Sequence, residues 1–316
     1  MAPLVQPNWS SRPPFATLDL CLAYVRRNHP QRPIACMAKD IVTGESIDAM
    51  IPAYLFRGEV GWLEQCLSRT ERVRRNHFPG VTLGELDPIG QDVDEELQSR
   101  LAIPQRLSRG LMQHYGFPTE LMDATTSLDT AAFFSRFEAG GMVEGAFAVF
   151  DVSVLLSGNG TVIDLCDHPT ALRAIRQEAY GVFHRRHSDL KDPQAVSDMG
   201  ITWYTFLSDP LEASRIGRGR PLLSVSDDHT AGLLRLWLDG SVAKHQKVTN
   251  PVAEYMAHRI AHCPLVTNVI SWHGPGQPKE VEAITPDQAH IAINEQLEID
   301  TSIKLWSRNH PDITAR

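Results

Sequence analysis

The segment at residues 111–134, LMQHYGFPTELMDATTSLDTAAFF, sets polar and hydroxyl side chains between two apolar helical pieces. Folding alone does not demand this arrangement, so we expect the chemistry of the protein here. Apolar residues recur at helical spacing before it, so we predict a helix over residues 105–116 that Pro118 terminates. A short extended run over residues 120–123 follows. An apolar helix over residues 128–137 then completes the unit.

Three consecutive hydroxyl residues, Thr125, Thr126 and Ser127, stand immediately before this second helix. Side chains of this type cap helix N-termini by accepting hydrogen bonds from unpaired backbone N–H groups. The same position also favours bound anions, because the N–H groups and the helix dipole both attract negative charge. The sequence leaves both interpretations open, a capping cluster and an anion-binding site.

Working outward, an aromatic and apolar run predicts a short strand over residues 53–57. Helical patterns cover residues 15–25 and 62–75, and the second of these has a basic face. Continuous apolar runs over residues 145–152 and 161–165 have the length and composition of buried strands. Elements of both kinds are therefore interleaved along the chain.

Residues 188–230 are rich in Asp, Ser, Gly and Pro, and we predict long loops or a subdomain boundary there. Apolar helical patterns resume in the last third of the chain. The fold class predicted from these elements is α+β, with a split, antiparallel-biased sheet flanked by helices and a C-terminal extension packed on it.

Composition defines a broad class. With 316 residues, 42% of them hydrophobic and 22% charged, the chain can bury a large core. A net charge of -8 argues against a protein whose main role is to coat nucleic acid or anionic membrane. No basic leader or run of about 18 apolar residues occurs, so we expect a cytoplasmic protein without membrane partners.

Cysteine and histidine spacing indicates neither disulfides nor metal. The five cysteines are widely spaced and include no Cys-x-x-Cys, which fits a reducing compartment. His258 and His262 have the spacing of two metal ligands on a helix, with Cys263 adjacent. No Glu follows His258 and no further ligand can be assigned, so we predict no metal site.

Several short motifs follow one another along the chain; they are Phe56-Arg57-Gly58, Leu67-Ser68-Arg69, Gln113-His114-Tyr115-Gly116, Pro118-Thr119, Leu121-Met122-Asp123 and Ala131-Ala132-Phe133-Phe134. In this order they resemble the motifs of the FRG domain family, which is named for a Phe-Arg-Gly sequence. The resemblance implies a tail at residues 1–14, an FRG-like domain at 15–187 and an extension or subdomain at 188–316.

The chain also departs from the family pattern. Glu120 stands where the family has Arg, and Ala124 stands where it has an aromatic residue. A later Arg, Gln, Gly, Phe signature is recognisable, with a spacing that differs by two residues; it comprises Arg173, Gln177, Gly181 and Phe183. These differences remove one ion pair and one stacking contact that the resemblance would imply.

A second resemblance, to arginine-type ADP-ribosyltransferases, implies an activity. In those enzymes an early-strand Arg grips NAD, a Ser-Thr-Ser strand end leads into a helix, and a late Glu carries catalysis. Arg57, residues 125–127 and Glu178 are similar in order and spacing. This implies an ADP-ribosyltransferase-like fold and an enzyme that consumes NAD as substrate, in a toxin or defence role against a protein or nucleic-acid target.

The resemblances imply a set of site residues. The catalytic candidates are Glu178, Arg57 and His114. The candidates for binding the nucleotide are Arg57, His114, Tyr115, Asp123, Thr125, Thr126, Ser127 and Gln177. A carboxylate can stabilise the oxocarbenium-like state formed when the nicotinamide bond breaks, and Arg can bind pyrophosphate bidentately.

Each candidate also has a structural alternative. Arg57 can form a buried ion pair with Asp123, His114 can bond a backbone carbonyl, and Tyr115 can pack in the core. The domain as a whole can be a noncatalytic module that binds a nucleotide or a protein segment. A third hypothesis is a phosphate-directed nucleic-acid binder; it would use Arg69, Arg72, Arg74, Arg75 and residues 215–220.

Overall fold

The computed structural model describes residues 14–39, 45–60, 65–77, 88–101, 103, 105–114, 117, 119–136, 144–167 and 172–207, with Leu234, Trp237, Gly240 and Ser241. The strands are β1 Pro33–Lys39, β2 Ser46–Pro52, β3 Tyr54–Glu59, β4 Met122–Thr125, β5 Glu144–Asp151, β6 Gly160–Asp164, β7 Ala179–His184 and β8 Ile201–Leu207. The helices are α1 Leu18–Asn28, α2 Arg69–His77, α3 Pro88–Leu101, α4 Gln105–His114, α5 Leu128–Arg136, α6 Val152–Ser157, α7 Leu172–Gln177 and α8 Pro193–Asp198.

Six strands form one antiparallel sheet in the order β6-β7-β4-β3-β5-β8. Strands β1 and β2 form a separate antiparallel pair. The prediction of an α+β fold with an antiparallel sheet flanked by helices is therefore confirmed. Within the described ranges, no helix is long and apolar enough to cross a membrane.

Strand β3 forms because its side chains alternate between two apolar cores. Leu55 is fully buried on one face, and Phe56 is 2% exposed on the other. The Leu55 face packs on residues from α6, α8 and the turn before α8. The Phe56 face packs on α1 and α5. Alternation places Arg57 on the Leu55 face and Gly58 on the Phe56 face.

Gly58 lets helix α5 lie directly against β3. A Cβ atom at this position would stand 1.9 Å from the Ala131 carbonyl oxygen and 2.7 Å from the Ser135 nitrogen. Both are backbone atoms, so the contact cannot be relieved by rotating a side chain. The helix–strand packing therefore requires glycine here.

The chain divides into two compact units. The first comprises residues Met1–Arg75, Thr119–Asp164 and Arg176–Leu222, and it contains both sheets. The second comprises Asn76–Pro118, Leu165–Ile175 and Leu223–Arg316. Within the second unit α3 packs beside α4, and Asp94 accepts a hydrogen bond from Ser108.

Two predictions about local structure are wrong. The helix predicted from residue 62 begins at Arg69, because Leu67 forms a β-bridge with Asp189 instead. The loop prediction fails for residues 193–207, where α8 is followed by β8 and β8 pairs with β5. The pattern at β8 was obscured by polar residues on its exposed face. The three-part division of the chain stays a prediction.

Candidate functional site

The predicted hydroxyl cluster and the predicted late glutamate meet where β4 ends and β7 begins. The Thr126 hydroxyl donates a 2.8 Å hydrogen bond to Glu178 Oε2. The Thr126 N–H donates to the Glu178 carbonyl oxygen over 3.2 Å, which extends the β4–β7 ladder by one bond. Two residues that are 52 positions apart in sequence are thus held together through both side chain and backbone.

Glu178 has an unusual backbone conformation for a non-glycine residue. Its φ is +50°, which lies in the left-handed region, and its side chain is exposed. Left-handed geometry costs an ordinary L-residue about 1–2 kcal/mol because Cβ approaches the following carbonyl oxygen. Strain of this kind concentrates at functional sites, so the backbone conformation makes Glu178 a candidate functional residue.

The neighbouring hydroxyls serve local structure. Thr125 is buried; its Oγ1 donates to the Gln177 carbonyl over 2.7 Å and accepts from the Ser127 N–H over 2.9 Å. Ser127 Oγ accepts from the Thr130 N–H over 3.3 Å at the start of α5. Ser127 therefore caps α5, as the first of the two interpretations of the hydroxyl cluster predicted. Of the three hydroxyls, only Thr126 contacts a carboxylate.

Gln31 holds Thr126 from the other side. Its side-chain amide donates to the Tyr54 carbonyl over 2.8 Å and to the Thr126 carbonyl over 3.1 Å. These bonds tie the start of β3 to the end of β4. The backbone of Thr126 is consequently fixed by both Gln31 and Glu178.

Arg57 forms an ion pair that the sequence reasoning did not find. Its Nε donates to Glu59 Oε1 over 2.6 Å, and its Nη1 donates to the Asp123 carbonyl over 2.8 Å. Arg57 thus contacts the Asp123 backbone, and the nearby Asp123 charge also raises the Arg57 pKa. The predicted ion pair with the Asp123 carboxylate stays a prediction. The side chains of Arg57 and Glu59 are both 17% exposed. Glu59 follows Arg57 by two residues on the same face of β3, and that spacing was the available signal.

The charge states of this pair are set by burial and by mutual attraction. Burial alone would lower the pKa of Arg57, but Glu59, Cys66 and Asp123 together raise it above its ordinary value. Burial alone would raise the pKa of Glu59, but Arg57 and the Cys66 hydrogen bond lower it below its ordinary value. The two groups stay charged because each stabilises the other.

Cys66 and Lys191 complete the cluster around Glu59. Cys66 Sγ donates to Glu59 Oε1 over 3.1 Å, and burial, followed by the nearby Glu59 charge, raises the pKa of the thiol to about 12. Lys191 is 6% exposed, and its ammonium lies 5.2 Å from the centre of the Trp203 ring. Burial lowers the pKa of Lys191. A thiol held protonated in this way is a structural donor rather than a nucleophile.

Strand register separates Arg57 from Glu178. Phe56 pairs with Thr125, and β3 runs antiparallel to β4. The Arg57–Glu59 pair therefore lies towards the N-terminal end of β4, whereas the Thr126–Glu178 pair lies just past its C-terminal end. The structure brings Thr126 and Glu178 together. The Arg57 guanidinium is turned towards the N-terminal half of β4, where it bonds Glu59 and the Asp123 carbonyl.

The remaining predicted residues are distributed as follows. His114 is 8% exposed near the end of α4 and belongs to the second unit. Asp123 and the buried Gln177 contribute backbone carbonyls, which accept from Arg57 and Thr125 respectively. Tyr115, residues 215–220 and residues 258–263 lie outside the described residues. Among the residues that are described, no group of three His, Cys, Asp or Glu side chains could hold a metal ion.

Comparison with known proteins gives one match. Residues 53–139 match the family model of the FRG domain. The matched segment includes Arg57, Asp123 and residues 125–127, and it ends before Glu178. Neither a curated protein nor a solved structure matches the chain.

Proposed function

Because this chain carries an FRG domain whose central strand ends at a strained and exposed carboxylate, we propose that it is an NAD-consuming enzyme of ADP-ribosyltransferase type. The observation that carries the proposal is the 2.8 Å hydrogen bond from Thr126 to Glu178. It fixes one carboxylate oxygen at an exposed strand end. The second oxygen of Glu178 takes no part in that bond and is available to a substrate.

The arrangement suits cleavage of the bond between ribose and nicotinamide. In that reaction the C–N bond breaks, nicotinamide leaves with the electron pair, and the ribose carbon becomes oxocarbenium-like. Glu178 stabilises this charge electrostatically and accepts the proton of the attacking nucleophile. The nucleophile is a hydroxyl, amine or guanidinium of the macromolecular target, or water when no target is present. Thr126 holds the carboxylate in place and prevents its rotation.

Arg57 enters this proposal in a different role from the predicted one. Its guanidinium is already bonded to Glu59 and to the Asp123 carbonyl, so it supports β4 from the opposite end. A direct bond from Arg57 to NAD stays a prediction. The assignment of His114, Tyr115 and Gln177 to the nucleotide pocket likewise stays a prediction, as does a toxin or defence role.

One observation favours a second candidate function, a noncatalytic binding module. The side chains of Thr125, Ser127 and Arg57 each form hydrogen bonds within the domain, which an apo enzyme pocket does not require. A module would bind a nucleotide or a protein segment without breaking a bond. Such a protein would tolerate replacement of Glu178 by its amide with little change in affinity.

The test is incubation of the purified full chain with NAD, with release of nicotinamide followed by chromatography and binding of NAD followed by calorimetry. The proposal expects release by the wild type, and a loss of about 100-fold or more in Glu178→Gln. Thr126→Val keeps the shape of the side chain and removes the hydroxyl, so we expect a loss of about tenfold. Glu95→Gln and Thr202→Val replace exposed residues of the same types elsewhere and serve as matched controls.

The outcomes separate the two candidates. Release that survives Glu178→Gln unchanged overturns the assignment of Glu178. NAD binding without release, equal in the wild type and both site variants, favours the binding module. If the wild type neither binds NAD nor releases nicotinamide, the NAD-dependent function is overturned altogether. Unfolding midpoints of all variants exclude loss of structure as the cause of any difference.

A further inference from the structure

Two basic segments of the first unit meet on its surface, away from the Thr126–Glu178 pair. They are helix α2 and the turn that follows β7. Arg75 Nη2 donates to Ser188 Oγ over 3.0 Å, and this bond ties the helix to the turn. Glu178 lies before the first residue of β7, whereas Arg185 and Arg186 follow its last residue. The two features therefore lie at opposite ends of β7.

Among the side chains that the structure describes, the two segments carry five arginines between them. Arg72, Arg75, Arg185 and Arg186 are exposed, and Arg74 is about one-third exposed. We call these five residues the arginine surface. The chain as a whole carries a net charge of -8, so this concentration of one sign runs against the overall composition.

A buried carboxylate organises the helical part of the arginine surface. Glu71 is 5% exposed, and it accepts from Arg74 Nε over 2.8 Å, from Arg74 Nη2 over 2.5 Å and from Arg75 Nε over 2.6 Å. Hydrogen bonding from Arg74 is the main reason why the pKa of Glu71 lies below its ordinary value. These bonds to Glu71 use Nε and Nη2 of Arg74 and Nε of Arg75, and they do not involve the Nη1 group of either arginine. Two guanidinium groups are thereby pre-oriented at little further entropic expense.

Two further carboxylates lie near the turn. Asp198 lies 2.8 Å from the His187 ring nitrogen, and Asp189 faces inward. Its Oδ1 accepts from the backbone N–H groups of Cys66 and Lys191 over 2.9 and 3.0 Å. It therefore stabilises the connection beneath the surface rather than neutralising Arg185 or Arg186. The excess positive charge of the arginine surface remains directed at solvent.

The neighbouring chemistry distinguishes among anionic partners. Every aromatic side chain in the described part of the chain is buried or only half-buried, so no exposed ring is offered for base stacking. The exposed large apolar residues are Leu20, Met37, Ile47, Met50, Val154, Ile175 and Leu207, and the two segments contain none of them. A membrane surface would favour apolar residues beside the basic ones. Guanidinium groups alone suit phosphodiesters, which they bind bidentately.

We infer that the arginine surface binds the phosphate backbone of a nucleic-acid duplex without regard to base sequence. This inference is independent of the proposed NAD chemistry. It revises the phosphate-binding hypothesis drawn from the sequence, because Arg185 and Arg186 join the α2 arginines and neither residue was in the predicted set.

The test measures fluorescence anisotropy of a short labelled DNA duplex and of an RNA duplex of the same sequence, titrated with the full chain over a range of salt concentrations. Each phosphate contact contributes a slope of about -0.9 to the logarithm of the association constant against the logarithm of salt. We expect the double variant Arg185→Gln/Arg186→Gln to reduce that slope by about 2 and to weaken binding by at least about tenfold near 0.1 M salt. This variant leaves the Glu71 network untouched.

Two control variants test whether duplex binding depends on the arginine surface itself. Arg26→Gln/Arg27→Gln removes two exposed arginines of α1, and it should leave both slope and affinity unchanged. Glu178→Gln should bind the duplex as the wild type does, whatever its effect on NAD. Absence of duplex binding at low salt, a salt-independent affinity, or an equal loss in the α1 control overturns the inference. Binding to anionic phosphatidylserine vesicles but not to either duplex also overturns it, in favour of a membrane surface.

Discussion

The two ends of β4 carry opposite kinds of polar site. At the N-terminal end Arg57 and Glu59 are paired, mostly buried and bonded to Asp123 and Cys66. At the C-terminal end Glu178 is exposed, strained and held through its side chain by Thr126. The first arrangement satisfies its charges internally, whereas the second presents a charge to solvent. Arg57 and Thr126 therefore have different roles, although both belong to the segment that matches the FRG domain.

The largest effect is expected when the buried pair is broken. Arg57→Ala leaves Glu59 buried without its main counter-charge, and an uncompensated buried charge destabilises a fold by about 3–5 kcal/mol. The measurement is urea-induced unfolding monitored by circular dichroism. If the two ends of β4 differ as described, Glu178→Gln should shift the midpoint far less than Arg57→Ala.

A double variant decides how that loss is interpreted. Arg57→Met/Glu59→Gln removes both charges and keeps an acceptor for Cys66, so it should recover most of the stability that Arg57→Ala loses. If the double variant is as unstable as the single one, the pair is not the source of the effect. If Arg57→Ala is as stable as the wild type, the buried-pair description of this end of β4 is wrong.

The next largest effect is expected at Gly58, which lies between Arg57 and Glu59 in sequence. Gly58→Ala would force a methyl group against the backbone of α5, and overpacking against an immobile helix costs about 3 kcal/mol. Gly240→Ala, where an added Cβ meets nothing within 4 Å, is the matched control in the same urea experiment. A stable Gly58→Ala protein would contradict the close approach of β3 and α5.

The Phe-Arg-Gly motif illustrates how much of the fold the sequence could predict. An apolar run bounded by Pro52 and Gly58 identified β3, and hydroxyls before an apolar helix identified the start of α5, because both signals are local. Strands β7 and β8 and the β1–β2 pair were missed. Their stability depends on long-range pairing, which local patterns do not encode.

The candidate site likewise has features that the sequence could predict and features that it could not. Order and spacing drew attention to Thr126 and Glu178, and the structure bonds them to each other. The two-residue spacing of Arg57 and Glu59 on β3 was a usable signal for their pairing. It could not exclude Asp123 as the partner, because the position of Asp123 beside Arg57 depends on strand register. The left-handed backbone of Glu178 was also invisible, since Glu has no preference for that region.

The strain at Glu178 predicts that stability and function respond in opposite directions. Glu178→Gly relieves the left-handed conformation, so we expect a gain of about 1 kcal/mol in unfolding free energy despite the lost hydrogen bond. The same change removes the carboxylate and should abolish nicotinamide release. Urea unfolding and the NAD assay on one protein sample provide both values.

Glu178→Asn refines that experiment. Asn tolerates left-handed geometry better than Glu does but carries no charge, so its stability should lie between those of the wild type and Glu178→Gly. A loss of stability in Glu178→Gly would mean that the Thr126 bond outweighs the strain. Glu178 would then resemble the structural pair at the other end of β4, and the contrast between the two ends would disappear.

The smallest effect is expected from pH. The pKa of Glu59 is lower in the folded chain than its ordinary value of 4.5. Burial alone would raise it, but the charge of Arg57, the hydrogen bonds from Cys66 and Arg57 and the charge of Arg72 together outweigh burial. The pair therefore contributes its full stability above about pH 4.5, and the contribution is lost as pH falls through the lower folded pKa. Urea midpoints of the wild type and of Arg57→Met/Glu59→Gln, measured from neutral pH to below pH 4, should converge on acidification. Midpoints that stay parallel would show that the pKa of Glu59 is the same in the folded and unfolded chain. The N-terminal end of β4 would then owe its stability to packing alone.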